Sequence, residues 1–283
     1  MTQRPPIAII LAAGKGTRMQ SDLPKVLHPV GGRPMVHCVV DACRAAGCRR
    51  IILVVGYKRE LVESAFHGTI GLPQAAGVEF AEQAEQLGTG HAVQCCEPLL
   101  RADCQRAGQP VFVLAGDGPL IRPETLRLLL DRHVTRSAYA SLATSVIDDP
   151  TGYGRIVRDG TGRFRAIVEH KQCTPEQLRI REVNPSYYCF DGHALLESLA
   201  KLRRNEQSGE FYITDVPGML LSEGKRVEVI DAVPPEDVLS INTLEQLAQV
   251  DAIYRARASR PGQTAGSGGR GVGEQGGSRR AGS

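Results

Sequence analysis

The chain has 283 residues, of which 42% are hydrophobic and 23% charged, enough apolar side chain for a sizeable core in one large domain or two small ones. It contains no run of 18 apolar residues and no charged-then-apolar leader, which argues against a membrane span or partner and leads us to expect a soluble, cytoplasmic protein. The formal charge of +3 sits in the tail: residues 256 to 283 hold five arginines and one glutamate, so the remainder carries −1 and offers no basic surface for nucleic acid.

Ile7 to Leu11 has the length and composition of a short buried strand. It delivers a glycine- and cation-rich loop, LAAGKGTRMQSDLPK, residues 11 to 25. Pro34 then opens a helix whose Val36, Val39, Val40 and Cys43 recur at i, i+3, i+4 and i+7, ending near Gly47. IILVV at 51–55 is a second buried strand, followed by a helix around 59–67 and a strand around 78–81. GTGHAVQCC starts another helix and VFVLA at 111–115 another strand, before Pro123 opens a helix carrying Leu126, Leu129 and Leu130. ASLATSVI is one more strand.

Strands buried on both faces and separated by helices predict an α/β fold, a Rossmann-like mainly parallel sheet with helices on both sides. In such sheets ligands bind beyond the carboxyl ends of the strands, and both Gly14 and Asp117 lie just past such ends. From Asp148 the rhythm changes. RIVRDGTGRFRAIVE predicts a hairpin turning at Asp159-Gly160, a small antiparallel insertion or lid over about 150–190. EVNPSYYCF is then a strand, with helices near 193–202 and from Tyr212, a strand at 227–230 and a last helix over 244–254 after Asn242. We assign 1–255 to one folded domain and expect the glycine- and arginine-rich 256–283 to be disordered, since it has no apolar periodicity to offset the entropy of ordering.

The eight cysteines include no C-x-x-C pair, and most fall in apolar segments, so reduced core thiols are expected rather than cross-links or zinc ligands.

Gly14 and Gly16 let the chain wrap a ligand and point N–H groups at it, and Lys15, Arg18 and Lys25 add fixed positive charge, the combination a polyphosphate requires. A Walker A loop is excluded because Ile9 stands five before Gly14, where the pattern needs a glycine, and Gly16 follows Lys15, where it needs Ser or Thr; the dinucleotide fingerprint fails at its third glycine, where Met19 stands. A turn with solvated basic residues is the bland alternative.

LAAGKGTRMQSDLPK resembles the opening of the sugar-nucleotide pyrophosphorylases, and SDLPKVLHPVGGRPM closely resembles that of the bacterial N-acetylglucosamine-1-phosphate uridylyltransferases. AEQLGTGHAV, LAGDGPLI, DDPTGYGRIVR, IVEHK, EVNPSYY and GEFYITD continue the likeness in the family's order, over about residues 7 to 250. The resemblance implies a nucleotide-diphospho-sugar transferase fold and the conversion of UTP and N-acetylglucosamine 1-phosphate into UDP-N-acetylglucosamine and pyrophosphate.

It also implies roles. Arg18 and Lys25 belong on the phosphates as the catalytic pair. Leu11, Ala12, Ala13 and Gly14, with Gln83, Gly88 and Thr89, belong on the nucleotide. Gly154, Glu169 and Asn184 belong on the sugar, and Asp117 with Asn242 on a magnesium ion. Read without the resemblance, Asp117 is a turn former, Asn242 a helix cap, Gly88-Thr89-Gly90 a helix start and Glu169 a solvated strand end.

Ala115 and Asn184-Pro185-Ser186 depart from the family, where many relatives have tyrosine and Asn-Thr-Gly, and they predict looser discrimination against glucose 1-phosphate. No hexapeptide repeat occurs, so the acetyltransferase β-helix of the bifunctional members is expected to be missing. The rival readings are a nucleotidyltransferase for another sugar phosphate or molybdopterin, and a non-catalytic nucleotide sensor. An oligomer is compatible with the sequence.

Overall fold

β1 (Ile7–Leu11) lies inside the sheet, and its alternate residues serve opposite layers. Ala8 and Ile10 join one core cluster and Ile7 and Ile9 the other, which is why the strand is apolar throughout. Fully burying each isoleucine stabilises the fold by about 1.5–3 kcal/mol. The computed structural model describes residues 4–67 and 77–259.

A miniature hairpin of β2 (Pro29–Val30) and β3 (Arg33–Pro34) leads into α1 (Met35–Ala45), β4 (Arg50–Val55) and α2 (Arg59–His67). Next come β5 (Val78–Glu82), α3 (Thr89–Gln94), α4 (Glu97–Leu100), β6 (Pro110–Ala115), α5 (Pro123–Thr135) and β7 (Ala140–Val146). β8 (Gly154–Arg158) and β9 (Phe164–Val168) precede α6 (Pro175–Leu178), β10 (Glu182–Asp191), α7 (Gly192–Lys201), α8 (Val216–Ser222), β11 (Val227–Asp231) and α9 (Leu244–Ala258).

The main sheet runs β11-β7-β10-β6-β1-β4-β5. β6-β1-β4-β5 and β11-β7 pair in parallel, and β10 runs antiparallel between β6 and β7. Val36, Val62 and Leu126 bring α1, α2 and α5 onto one face, while Val93, Leu195 and Val216 bring α3, α7 and α8 onto the other. Among the described residues no helix is long and apolar enough to cross a membrane. All eight cysteines are free thiols, six of them buried.

The segment expected as a lid is an outgrowth of this sheet. β8 pairs with β9 as the hairpin signal predicts, and its other edge joins the start of β10 through Val183 opposite Arg155 and Asn184 opposite Gly154. β10 therefore serves both parts, and its register shifts between Val183 and Tyr187. Within that shift Ser186 has φ 65°, a left-handed conformation that a side chain disfavours. Ser186→Gly should relieve about 1 kcal/mol and raise the melting midpoint by roughly 2–4 °C. A midpoint equal to or below wild type in differential scanning calorimetry would show that Ser186 carries no net strain.

Two boundaries differ from expectation. The helix expected from Tyr212 begins with a 3-10 turn, Ile213–Asp215, because Pro217 fits only the first turn of the α-helix that follows. The last helix continues through Ala258, so the ordered domain extends beyond residue 255. Arg257 holds that final turn by donating to the Leu120 carbonyl and pairing with the buried Asp237 carboxylate. The disorder expected further along, in 260–283, lies outside the described residues.

Candidate active site

The carboxyl ends of β1, β4, β5 and β6 are level: Leu11 lies opposite Val54 and Ala115, and Val55 opposite Glu82. Backbone bonds carry the ladder into the loops. Ala12 N–H donates to Val54 O (2.9 Å), Tyr57 N–H to Ala13 O (3.1 Å), Gln83 N–H to Val55 O (2.8 Å) and Gly116 N–H to Leu11 O (3.0 Å). The carbonyls of Leu11 and Ala13 are thus already engaged, and Ala12 and Ala13 are buried. Gly14 differs, with open space where a side chain would stand.

Gly16, at φ 67°, begins a 3-10 turn that carries Arg18. A Cβ on Gly16 would come within 2.7 Å of Lys25 Cβ, so the loop closes tightly onto the lysine stem. Arg18 Nη2 donates to Asn242 Oδ1 (2.7 Å), Lys25 Nζ donates to the same oxygen (2.9 Å), and Lys25 Nζ also pairs with the Asp117 carboxylate. Arg18, Lys25, Asp117 and Asn242 thereby meet at one point, although they lie far apart in sequence.

The second line of contacts explains why they meet. Ile241 N–H donates to the Asp117 carbonyl (3.0 Å), which fixes one loop against the other. Gln246 Oε1 accepts from the N–H groups of Asn242 (2.7 Å) and Thr243 (3.2 Å), and the Thr243 hydroxyl accepts from Gln246 N–H, a capping box at the start of α9. Lys15 is not part of this cluster. Its ammonium lies over the Tyr57 ring, 5.3 Å from the centroid.

Asp117 and Asn242 present hard oxygens that converge on the Lys25 ammonium, so the position already suits a cation. A magnesium-type ion takes only one or two protein oxygens and completes its shell with water and phosphate. The donor set fits. Among the described residues no group of three His, Cys, Asp or Glu could hold a metal by itself.

Among the residues expected on the nucleotide, buried Gln83 donates through its amide nitrogen to Gly88 O (2.9 Å) and lies 3.2 Å from His91 Nδ1. Gly88 has φ 100°, and a Cβ there would come within 2.5 Å of the Phe211 carbonyl. Phe211 N–H donates to Leu87 O, Gly90 N–H to Phe211 O and Ile213 N–H to the Thr89 hydroxyl. GTGH is therefore shaped to pack against the strap 211–213.

Among the residues expected on the sugar, Glu169 accepts at Oε1 from Thr214 Oγ1 (3.0 Å). Burial pushes the Glu169 carboxyl above the usual range, the Thr214 bond pulls it back, and the Asp215 and Glu210 carboxylates add to the rise. Arg18 and Glu169 share the wall of one cleft of about 910 Å³, with His170, Glu210 and Tyr212. Gly154 starts β8 beside Asn184. Buried Asn184 donates to Tyr188 OH (2.6 Å) and accepts from Ser186 N–H (3.2 Å), so both ends of its amide are engaged with the protein.

The sequence reading missed the strap 211–214, the Gln86 amide that donates to Ala13 O, and buried Arg155 beside His170. GEFYITD, AEQLGTGHAV and DDPTGYGRIVR are the segments that hold these residues, but none has a spacing that announces them.

A family model described as the MobA-like NTP transferase domain matches residues 8–214. The chain is 44% identical over 250 residues to the bifunctional protein GlmU of Clostridium acetobutylicum, an alignment covering 88% of this chain and 52% of that protein. It is 43% identical over 253 residues to the protein of the same name from Geobacter metallireducens, covering 89% and 51%. The chain spans about half the length of these curated relatives. Among solved structures, UDP-glucose pyrophosphorylase complexed with UDP-glucose superimposes with a TM-score of 0.71 at 17% identity, covering 90% of this chain and 100% of that one, a likeness of fold.

Proposed function

The chain belongs to the MobA-like NTP transferase family, and from that premise we propose that it is a uridylyltransferase acting on UTP and N-acetylglucosamine 1-phosphate in the cytoplasm. The meeting of Arg18, Lys25, Asp117 and Asn242 at the carboxyl edge of the sheet carries the reading. A nucleotide sensor has no need of two cations and two hard oxygen donors at one point.

An oxygen of the sugar phosphate attacks the α-phosphorus of UTP, the bond from that phosphorus to the oxygen bridging it to the β-phosphorus breaks, and pyrophosphate leaves with the electron pair. The nucleophile is already an anion, so no general base is required. Bringing two polyanions together is the difficulty, and fixed cations on a preorganised loop meet it. Arg18 and Lys25 would exchange the Asn242 and Asp117 oxygens for phosphate oxygens. Asp117 and Asn242 would then hold a magnesium ion, which supplies further neutralisation of phosphate charge when bound.

Gln83, anchored through its nitrogen, has its amide oxygen to offer the N–H of uracil, with Gly88 and Thr89 closing that side. Leu11, Ala12 and Ala13 form the floor from which Gly14 reaches the base. Gly154, Glu169 and Asn184 form the sugar end.

Pyrophosphate release across a panel of triphosphates and sugar phosphates tests the reading. UTP with N-acetylglucosamine 1-phosphate should be fastest. Its margin in kcat/KM over glucose 1-phosphate should widen, by about tenfold or less, in a variant combining Ala115→Tyr, Pro185→Thr and Ser186→Gly, the scale of one altered polar contact. Turnover confined to another triphosphate or acceptor would overturn the assignment.

A further inference from the structure

Arg155 is the largest fully buried side chain among the described residues, at 1% exposure, and no described carboxylate is in ion-pair contact with it, the Asp149 charge acting from further off. Its guanidinium donates to the Tyr153 carbonyl and lies 3.3 Å from His170 Nδ1, while its Nε finds no partner at all. Burying a guanidinium with no carboxylate in contact is costly, and the carboxylate its charge acts on, that of Asp149, is fully exposed. The position is specific. Arg155 faces Val168 across the β8–β9 ladder, directly behind Glu169 and His170, which form part of the cleft wall with Arg18.

The hydrogen-bond chemistry of this pair is one-sided. A guanidinium only donates, so His170 Nδ1 must accept and carry no proton. A neutral imidazole then has its proton on Nε2. Nε2 has no hydrogen-bond partner among the described residues and is not sealed from solvent. His170 is thus set as a donor at the cleft wall, one residue from Glu169, and the buried positive charge of Arg155 behind it polarises it toward an anion.

We propose that His170 is a contact residue for the sugar 1-phosphate, donating from Nε2, and that Arg155 is the positioning residue that fixes its tautomer and ring orientation. The base-side loop at Gln83 to Thr89 is not part of this wall, so the effect belongs to the sugar phosphate and not to UTP. The inference rests on the uridylyltransferase reading.

Steady-state kinetics with wild type, His170→Ala, His170→Gln and Arg155→Lys test it. His170→Ala should raise KM for N-acetylglucosamine 1-phosphate about tenfold and leave KM for UTP within about twofold, the scale of one lost hydrogen bond. His170→Gln, which keeps a neutral donor, should recover most of the loss. Arg155→Lys cannot serve Tyr153 O and His170 with one fork and should reproduce the His170→Ala pattern. Should Arg155→Lys fail to fold, the histidine variants decide alone. An unchanged KM for the sugar phosphate in His170→Ala, or equal rises for both substrates, overturns the proposal. Absence of turnover in wild type would instead refute the uridylyltransferase assignment.

Discussion

Asp117→Ala is expected to lower kcat by about a thousandfold or more while the melting midpoint stays within roughly 3 °C of wild type. Among the described residues the carboxylate is the only formal negative charge at the point where Arg18, Lys25 and Asn242 meet, and its oxygen partners Lys25. Removing it deletes an oxygen donor for a divalent cation and frees the ammonium to sit elsewhere. The fold should tolerate the change because Asp117 is held by its backbone, whose carbonyl accepts from Ile241 N–H. Pyrophosphate release and calorimetry on the same preparation check both halves. A folded variant with wild-type turnover would remove Asp117 from the mechanism.

Lys25→Met should reduce kcat/KM by roughly a hundred- to a thousandfold, the range seen when one preorganised donor to developing charge is lost. Methionine keeps most of the aliphatic stem, so the tight closure of Gly16 against Lys25 Cβ and Cγ survives. The loss is then one of charge, not of loop shape. Asp117 and Asn242 remain, and without a competing ammonium the concentration of divalent cation needed for half-maximal rate should stay the same or fall. Titration with magnesium distinguishes the outcomes. A rise in the magnesium requirement would mean that Lys25 supports the cation site rather than competing for it.

β1, β4 and β6 were legible because each is apolar on both faces, with alternate residues in opposite core layers. The direction of β10 was not legible, since a buried central strand reads the same way up or down. Asp117 and Asn242 could be named from the family likeness, yet their contact depends on an Ile241–Asp117 backbone bond that no side-chain pattern encodes. Lys15 appeared equivalent to Arg18 and Lys25 in the loop. Only the Tyr57 ring, brought near by β4, separates it from them. Arg155 was hidden for the opposite reason. A hairpin arginine is ordinarily a solvated one, and its complete burial follows from β8 being pinned between β9 and β10.

The contact between Arg18 and Asn242 spans 224 residues, and that between Lys25 and Asn242 spans 217. Closing so long a loop carries more entropy loss than the helix-to-strand contacts that precede it, which places this contact late in the order of folding. Asn242 arrives with α9, whose Val250 packs in a small cluster with Met19, Met35 and Leu120, apart from the larger cores flanking the sheet. A refolding chain should therefore regain its helical circular dichroism before it regains catalysis. Equal half-times for the two signals would refute that order. By this geometry an active molecule is one whose opening loop has already met the start of α9, and catalysis itself becomes a proofreading signal for complete assembly.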